Sequence, residues 1–181
     1  MKILDRILQI WRIKKGIKYI TGTSKILDIG NYDDTLFRML GRKVKYGVGI
    51  DPLAIPAKHQ NYEVICGHFP NDLNDNETYD VITLFAVLEH IPTNEINRFA
   101  KAISNHLKPG GKLIITVPDT KVDNILNILT KLKLVHGMSL EQHHGYQIDD
   151  TEKIFNPYGL ILQKHIKFQL GLNNLFVFVK K

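Results

Sequence analysis

Two aspartates stand at the ends of short apolar runs, and their spacing suits the recognition of a nucleoside. Asp28 lies within the run 25–29, and Gly30 follows it two residues later. Asp51 closes a second apolar run, 21 residues after Gly30. An acid at that place suits a ribose, because one carboxylate can accept a hydrogen bond from each of two neighbouring hydroxyls. The sequence therefore predicts a ligand that contains a nucleoside.

The elements that must position these acids alternate in a regular way. Helical patterns occur over residues 96–107 and 122–132, with a short helix near 150–155. Apolar runs typical of buried parallel strands lie at 26–29, 46–50, 63–66, 80–85 and 112–117. Such an alternation predicts a parallel sheet with right-handed crossovers, in which ligands bind at the carboxyl ends of the strands.

The end of the chain departs from this alternation. Apolar and polar residues are interleaved over 162–170, residues 171–174 form a turn, and 175–179 make a last apolar run. Two strands joined by so short a turn must be antiparallel. We therefore expect a parallel sheet that is completed by a hairpin.

The totals of the chain limit its class. A length of 181 residues with 44% apolar and 23% charged side chains is typical of one globular domain. The single cysteine, Cys66, provides no disulfide framework, so we expect a reducing, cytoplasmic compartment. No apolar run approaches the roughly 20 residues of a membrane span, and the N-terminus lacks the pattern of a secretory signal.

The net charge of +6 is concentrated at the N-terminus. Residues 1–20 carry +5, from Asp5 and the six basic side chains Lys2, Arg6, Arg12, Lys14, Lys15 and Lys18. The remaining 161 residues carry only +1, which argues against a nucleic-acid-binding domain. Apolar residues over 2–13 predict an amphipathic helix that ends near Gly16. We expect segment 1–24 to pack on a domain formed by 25–181; the alternative is that residues 1–20 rest on an anionic membrane surface or close over a substrate.

Four blocks of the sequence share their order and spacing with a known family. Residues 26–30, 47–51, 79–92 and 107–113 resemble class I S-adenosylmethionine-dependent methyltransferases, in particular small ones with a Leu-Glu-His motif. The resemblance implies a Rossmann-like α/β fold with helices on both faces of a seven-stranded sheet. The implied strand order is 3-2-1-4-5-7-6, with strand 7 antiparallel. It also implies S-adenosylmethionine as cofactor and S-adenosylhomocysteine as product.

The resemblance assigns cofactor contacts position by position. The methionine part would lie beside Asp28 and Gly30, and the ribose beside Asp51. The further implied contacts are Pro52 at the adenine, Gly67 and His68 on the loop that borders it, and Phe85 and Ala86 near the transferred methyl.

Three positions depart from the usual pattern of the family. Tyr32 and Asp34 replace the second and third glycines of the first loop, and Tyr32 could cover the cofactor with its ring. His68 stands where an acid is usual. The alternative interpretation is therefore a degenerate, non-catalytic nucleoside-binding module of the same fold. A nicotinamide dehydrogenase is disfavoured, because residues 30–35 lack the Gly-x-Gly-x-x-Gly pattern.

Three side chains are candidates for the acceptor side. His143, His144 and Tyr146 lie in the segment between the fifth and sixth strands, which faces the acceptor in the resembling family. Histidine suits a general base, because its pKa lies close to neutral pH. No recognised metal-ligand spacing is present, so no metal is expected. The compact insert 118–150 favours a small-molecule or lipid-like acceptor, and the sequence does not indicate an oligomeric state.

Overall fold

A computed structural model describes residues 3–22, 24–73, 77–119 and 146–181, and these ranges form a sheet of eight strands with helices on both faces. In chain order the strands are β1 (Ser24–Ile29), β2 (Val44–Asp51), β3 (Ala57–Lys58), β4 (Tyr62–Cys66), β5 (Tyr79–Phe85), β6 (Leu107–Pro118), β7 (Leu160–Phe168) and β8 (Asn173–Lys180). Their order across the sheet is β3-β4-β2-β1-β5-β6-β8-β7.

The seven longer strands confirm the fold predicted from the sequence. Numbered without β3, they follow the order 3-2-1-4-5-7-6, and the last strand, β8, runs antiparallel to both of its neighbours. The count of seven was wrong by one strand, because Ala57 and Lys58 pair antiparallel with β4 at the edge of the sheet. A pair of residues is too short to show an alternating pattern in the sequence.

Helices pack on both faces of the sheet. Those of the described residues are α1 (Ile3–Gly16), α2 (Thr35–Leu40), α3 (Ile96–His106) and α4 (Thr151–Phe155). One hydrophobic core joins a face of the sheet to α1 and α2, and a second joins the other face to α3 and α4. Single helical turns occur at Ile17–Tyr19, Gly41–Lys43, Leu88–His90, Ile148–Asp150 and Asn156–Tyr158. The helix predicted at 122–132 lies outside the described residues.

Helix α1 ends at Gly16, as predicted, and it packs closely at that end. A Cβ atom on Gly16 would lie 2.5 Å from Cε1 of Phe85, so a larger residue would push the helix away from the sheet. Ile13 is buried one turn earlier, whereas Ile3, Ile7 and Trp11 are exposed. The helix is therefore fixed at its C-terminal end, and the apolar row that it carries remains in part on the surface.

Candidate functional site

The carboxyl ends of three adjacent strands bring the predicted cofactor residues together. β1 lies between β2 and β5, with Asp28 opposite Gly49 on one side and Thr83 on the other. Asp51 ends β2 and Phe85 ends β5. Residues that are distant in the sequence thus meet at the edge of the sheet that is formed by the carboxyl ends of the strands, where α/β proteins bind their ligands.

Asp28 is the buried acid of this edge. Its residue surface is only 5% exposed, and its two carboxylate oxygens accept hydrogen bonds of 2.6 Å from the Thr83 hydroxyl and the Asn31 side-chain amide. Burial raises the pKa of Asp28 to about 7, although both hydrogen bonds act in the opposite direction. A carboxylate in such surroundings favours either a proton or a bound cation.

The loop after β1 approaches its neighbours so closely that its glycine cannot be replaced. Gly30 has a φ of +86°, and a Cβ atom there would lie 2.3 Å from Cγ2 of Val87. Its N–H donates to the Ile50 carbonyl at 2.8 Å, which ties the loop to the end of β2. The loop therefore presents backbone, without a side chain, beside Asp28.

The departures from the glycine pattern have a structural explanation. Asp34, in place of the third glycine, adopts a left-handed φ of +50°, which aspartate tolerates better than most residues. Its carboxylate accepts a hydrogen bond from the Tyr62 hydroxyl at 2.9 Å and pairs with Arg38 at 3.0 Å. The loop therefore keeps a glycine-like backbone at this position. Tyr32 is exposed and lines the mouth of the cavity beside Asp28.

Helix α1 covers the Asp28 end of the site. Arg6 pairs with the Asp33 carboxylate at 2.5 Å, and the Gln9 amide donates to the same carboxylate at 3.1 Å. Although partial burial acts against it, hydrogen bonds from Thr35 and Gln9 together with the Arg6 charge lower the pKa of Asp33. The cavity enclosed between α1, the loop and Phe85 has a volume of about 40 Å³. That is room for about one water molecule, so a larger ligand requires α1 or Tyr32 to move.

Arg12 is a residue of this cavity that the sequence analysis did not identify. It lines the wall next to Asp28, and its Nε is buried without a hydrogen-bond partner. Burial lowers the pKa of Arg12, while the charges of Glu89 and Asp5 oppose that shift. A guanidinium with an unused donor suits a carboxylate ligand. The signal for it in the sequence is a lone basic residue within the apolar run 10–13.

The Asp51 end of the site is more open. Asp51 is half-buried, and one of its carboxylate oxygens accepts the N–H of Leu53 at 2.7 Å. Burial raises its pKa, whereas the Leu53 hydrogen bond and the His68 charge lower it. Its backbone carbonyl accepts the N–H of Gly67 at 3.1 Å, which brings the predicted adenine loop next to it. Pro52 and His68 are both exposed.

Two further predicted residues lie at or near the same edge. Ala86 follows Phe85 with a left-handed φ of +59°, and its N–H donates to the Thr116 carbonyl at 2.8 Å. Tyr146 is half-buried, and its hydroxyl is hydrogen-bonded to that of Thr151. Because Thr151 donates to the Ile148 carbonyl, Tyr146 is the donor in this bond.

The environment of Tyr146 disfavours a role as base. Burial raises the pKa of Tyr146, and the charges of Glu89 and Asp150 add to the effect, so the phenol stays protonated at neutral pH. His143 and His144 lie outside the described residues. Within the described ranges, no group of three histidine, cysteine or acidic side chains could hold a metal ion.

A larger depression lies at the other end of the strands, beside their amino ends. Its volume is about 480 Å³, and it is lined by three lysines and three acids. Lys25 pairs with Glu77 and Lys108 with Asp80, each at 2.6 Å. These pairs balance its charges, and it is remote from the carboxyl ends of the strands. We therefore place the candidate site at Asp28 and Asp51.

Comparison of the sequence with known proteins identifies its family. Residues 2–165 match the family model described as a methyltransferase domain. The rat protein named ubiquinone biosynthesis O-methyltransferase, mitochondrial, is 30% identical over an alignment 156 positions long that covers 77% of this chain. The chain spans about half the length of this relative, 45% of it.

Solved structures share the fold at low sequence identity. The N-methyltransferase NodS of Bradyrhizobium japonicum, in complex with S-adenosylhomocysteine, superposes with a TM-score of 0.69 at 14% identity, covering 99% of this chain and 88% of its own. A Burkholderia thailandensis 1,6-didemethyltoxoflavin-N1-methyltransferase gives 0.71 at 12% identity, covering 94% and 76%. At these identities the likeness shows the fold alone.

Proposed function

The chain belongs to the family of class I S-adenosylmethionine-dependent methyltransferase domains, and we propose that it transfers a methyl group from S-adenosylmethionine to a small-molecule or lipid-like acceptor. The observation that carries the proposal is the pair of acids, Asp28 and Asp51, at the ends of adjacent strands. The backbone of Gly30 lies between them, and as a glycine it adds no side chain there.

The residues of the edge fit the parts of this cofactor. Buried Asp28 would receive the α-ammonium of the methionine part, which would stabilise the ionised carboxylate. The unused Nε of Arg12 would donate to the methionine carboxylate. Asp51 would accept from the ribose hydroxyls, with Pro52 and the loop of Gly67 and His68 beside the adenine. When bound, the cofactor supplies an electrophilic methyl group.

The protein's own tasks are then to align the acceptor, to exclude water and to remove a proton where the acceptor carries one. We propose a hydroxyl acceptor, because the rat relative is named an O-methyltransferase. His143 and His144 are the proposed bases, because histidine accepts a proton near neutral pH. Tyr146 would position a neighbouring group and keep its own proton.

The test is methyl transfer from labelled S-adenosylmethionine to a panel of phenols, aliphatic alcohols and amines. We expect transfer to at least one hydroxyl acceptor by the unaltered chain. His143→Ala and His144→Ala should slow turnover and spare cofactor binding. If both variants turn over as fast as the unaltered chain, these histidines are not the bases. Methyl transfer to amines only would overturn the hydroxyl acceptor.

The alternative proposal is a non-catalytic nucleoside-binding module, which the small size of the enclosed cavity favours. In that case the open Asp51 end would bind adenosine, while α1 would keep the methionine part out. Titration with adenosine and with S-adenosylhomocysteine separates the two proposals. A methyltransferase should bind S-adenosylhomocysteine more tightly than adenosine, whereas the module should bind only adenosine.

A further inference from the structure

Helix α1 carries an apolar row on the side that faces away from the sheet. Ile3, Ile7 and Trp11 recur at four-residue spacing, so they lie on one side of the helix, and their exposed fractions are 82%, 53% and 42%. The sequence contains no other tryptophan. Exposed apolar residues are ordinary when single, but a continuous row of them indicates a contact surface.

The turn between β7 and β8, which is joined to α1, carries a further exposed apolar side chain. Gln169 on this turn donates its side-chain amide to the Leu8 carbonyl of α1 at 3.2 Å, so the turn and the helix are joined. Leu170, the next residue, is 97% exposed and has a left-handed φ of +58°. Leucine adopts that conformation at a cost in free energy. We call Ile3, Ile7, Trp11 and Leu170 the outer face.

Basic side chains surround the outer face. Lys14 and Lys18 are exposed at the end of α1 and just beyond it. The Nζ of Lys15 lies 6.0 Å from the ring centroid of Phe168, and that of Lys164 lies 5.6 Å from Tyr19, so the C-terminal part of the helix and β7 form one basic region. Arg6 pairs with Asp33 and Arg12 lines the cavity beside Asp28, so among the described residues of 1–20 the charge near the outer face comes from Lys14, Lys15 and Lys18.

We infer that the outer face docks on the surface of an anionic lipid membrane. An apolar row with a tryptophan, bordered by lysines, is the composition of helices that lie in the plane of a bilayer interface. The other side of α1 is held by the Arg6–Asp33 ion pair and by buried Ile13, so the face is presented without unfolding the domain. Among the described residues, no helix is long and apolar enough to cross a membrane.

A second copy of the chain fits the same face less well. In a two-fold dimer the outer face would meet itself, and the basic residues of both copies would be brought together. Like charges at an interface oppose association, whereas anionic head groups attract the same residues. The charge of the region therefore favours lipid over self-association.

Docking would also orient the proposed active site. The side of α1 opposite to the outer face lines the cavity beside Asp28, through Gln9, Arg12 and Ile13. A docked domain would hold that edge of its sheet one helix diameter from the bilayer. This consequence rests on the proposed function, whereas the docking itself does not.

The test uses Trp11 as its own reporter. The full chain is titrated with vesicles of phosphatidylcholine mixed with phosphatidylglycerol, and with vesicles of phosphatidylcholine alone, and its emission and co-sedimentation are measured. We expect a blue shift and co-sedimentation with the anionic vesicles only, weakening as salt is added. Because the assay requires neither cofactor nor acceptor, its failure is distinct from a failure of the proposed activity.

Variants separate the apolar and electrostatic contributions. Ile7→Ser with Leu170→Ser should abolish the blue shift of Trp11. Lys14→Gln with Lys18→Gln should weaken partitioning about fivefold for each lysine. The matched control is Leu53→Ser with Ile55→Ser, which alters two side chains exposed by 75% and 84% after β2, four strands from β8 along the sheet. The control should bind vesicles like the unaltered chain.

Three results would overturn the inference. The first is no binding to anionic vesicles at low salt. The second is a loss of vesicle binding that is as large in the control variant as in the outer-face variant. The third is a blue shift of Trp11 that depends on protein concentration without lipid, which would identify a second copy as the occupant. A thermal melt of each variant checks that its effect is not a loss of folding.

Discussion

Asp28 and Asp51 are the same residue type at the ends of neighbouring parallel strands, yet their surroundings differ. Asp28 is buried, receives two side-chain hydrogen bonds and has a pKa raised to about 7. Asp51 is half-buried and receives one backbone hydrogen bond on its carboxylate. The difference arises from α1, which covers the first acid and leaves the second open. One end of the site is therefore closed and favours either a proton or a bound cation, while the other is accessible.

The burial of Asp28 at the closed end lowers the stability of the protein when no ligand is bound. A carboxyl group whose folded pKa lies above its unfolded value binds its proton more tightly in the folded state. Its effect on stability is absent below about pH 4, and it destabilises the fold increasingly as the pH rises toward 7. A bound ammonium group would offset this destabilisation, because it favours the ionised carboxylate.

The largest expected effect is that of Asp28→Asn on stability. Above pH 7 the variant should be more stable than the unaltered chain by up to about 4 kcal/mol, because the buried negative charge is removed. Asn31 can turn its amide so that its unpartnered oxygen accepts from the new side chain. Urea unfolding at pH 8 and at pH 4 measures the gain, which should vanish at the lower pH. A variant that is less stable at pH 8 would contradict the raised pKa.

Asp51→Ala should weaken the cofactor without a comparable effect on stability. The loss of the proposed ribose hydrogen bonds corresponds to about 1–3 kcal/mol of binding free energy. Titration calorimetry with S-adenosylhomocysteine gives the change, and urea unfolding gives the stability of the same sample. Unchanged affinity would remove Asp51 from the site.

The two acids should also differ in their effect on the pH dependence of binding. An ionised Asp28 binds an ammonium better, so the affinity for S-adenosylhomocysteine should fall about tenfold for each pH unit below 7. Asp28→Asn should remove this dependence, and Asp51→Asn should retain it. Calorimetry in buffers of different ionisation enthalpy measures the accompanying proton release. A pH dependence that follows Asp51 would reverse the assignment of the two ends.

The smallest effect is expected from the ion pair that holds α1 over Asp28. Arg6→Ala removes a partly exposed pair with Asp33, which should cost less than about 1 kcal/mol of stability. It should speed the association of S-adenosylhomocysteine, because α1 would be released more easily. Stopped-flow fluorescence of Trp11 measures the rate, with Lys153→Ala, which breaks the exposed pair with Asp150, as control. Equal rates in both variants would mean that α1 does not limit entry.

The sheet was predictable from the sequence because its signals are local. Most of the long strands contain an apolar run, β7 shows interleaved apolar and polar residues, and the short turn before β8 requires an antiparallel pair. The two-residue β3 carries no such signal, so it was absent from the prediction. For the helix α1, the spacing of residues predicted an apolar row but not which part of the row would be buried. That depends on the contact between Gly16 and Phe85, which is distant in the sequence.

The site was predictable only where backbone position determines it. Asp28, Gly30, Asp51 and Phe85 lie at strand ends, so the order of strands brings them together. The burial of Arg12 and the left-handed Asp34 depend on partners from distant segments. For Asp34 one of those partners, Tyr62, lies 28 residues away. No local pattern of the sequence contains such contacts.

The most direct test of the central claim is calorimetric titration of the unaltered chain with S-adenosylmethionine and S-adenosylhomocysteine, with NAD as control. The closed end at Asp28 and the open end at Asp51 together predict micromolar binding of the first two ligands and no binding of NAD. Binding of NAD, or no heat from any of the three, would contradict the assignment of this edge as a site for S-adenosylmethionine.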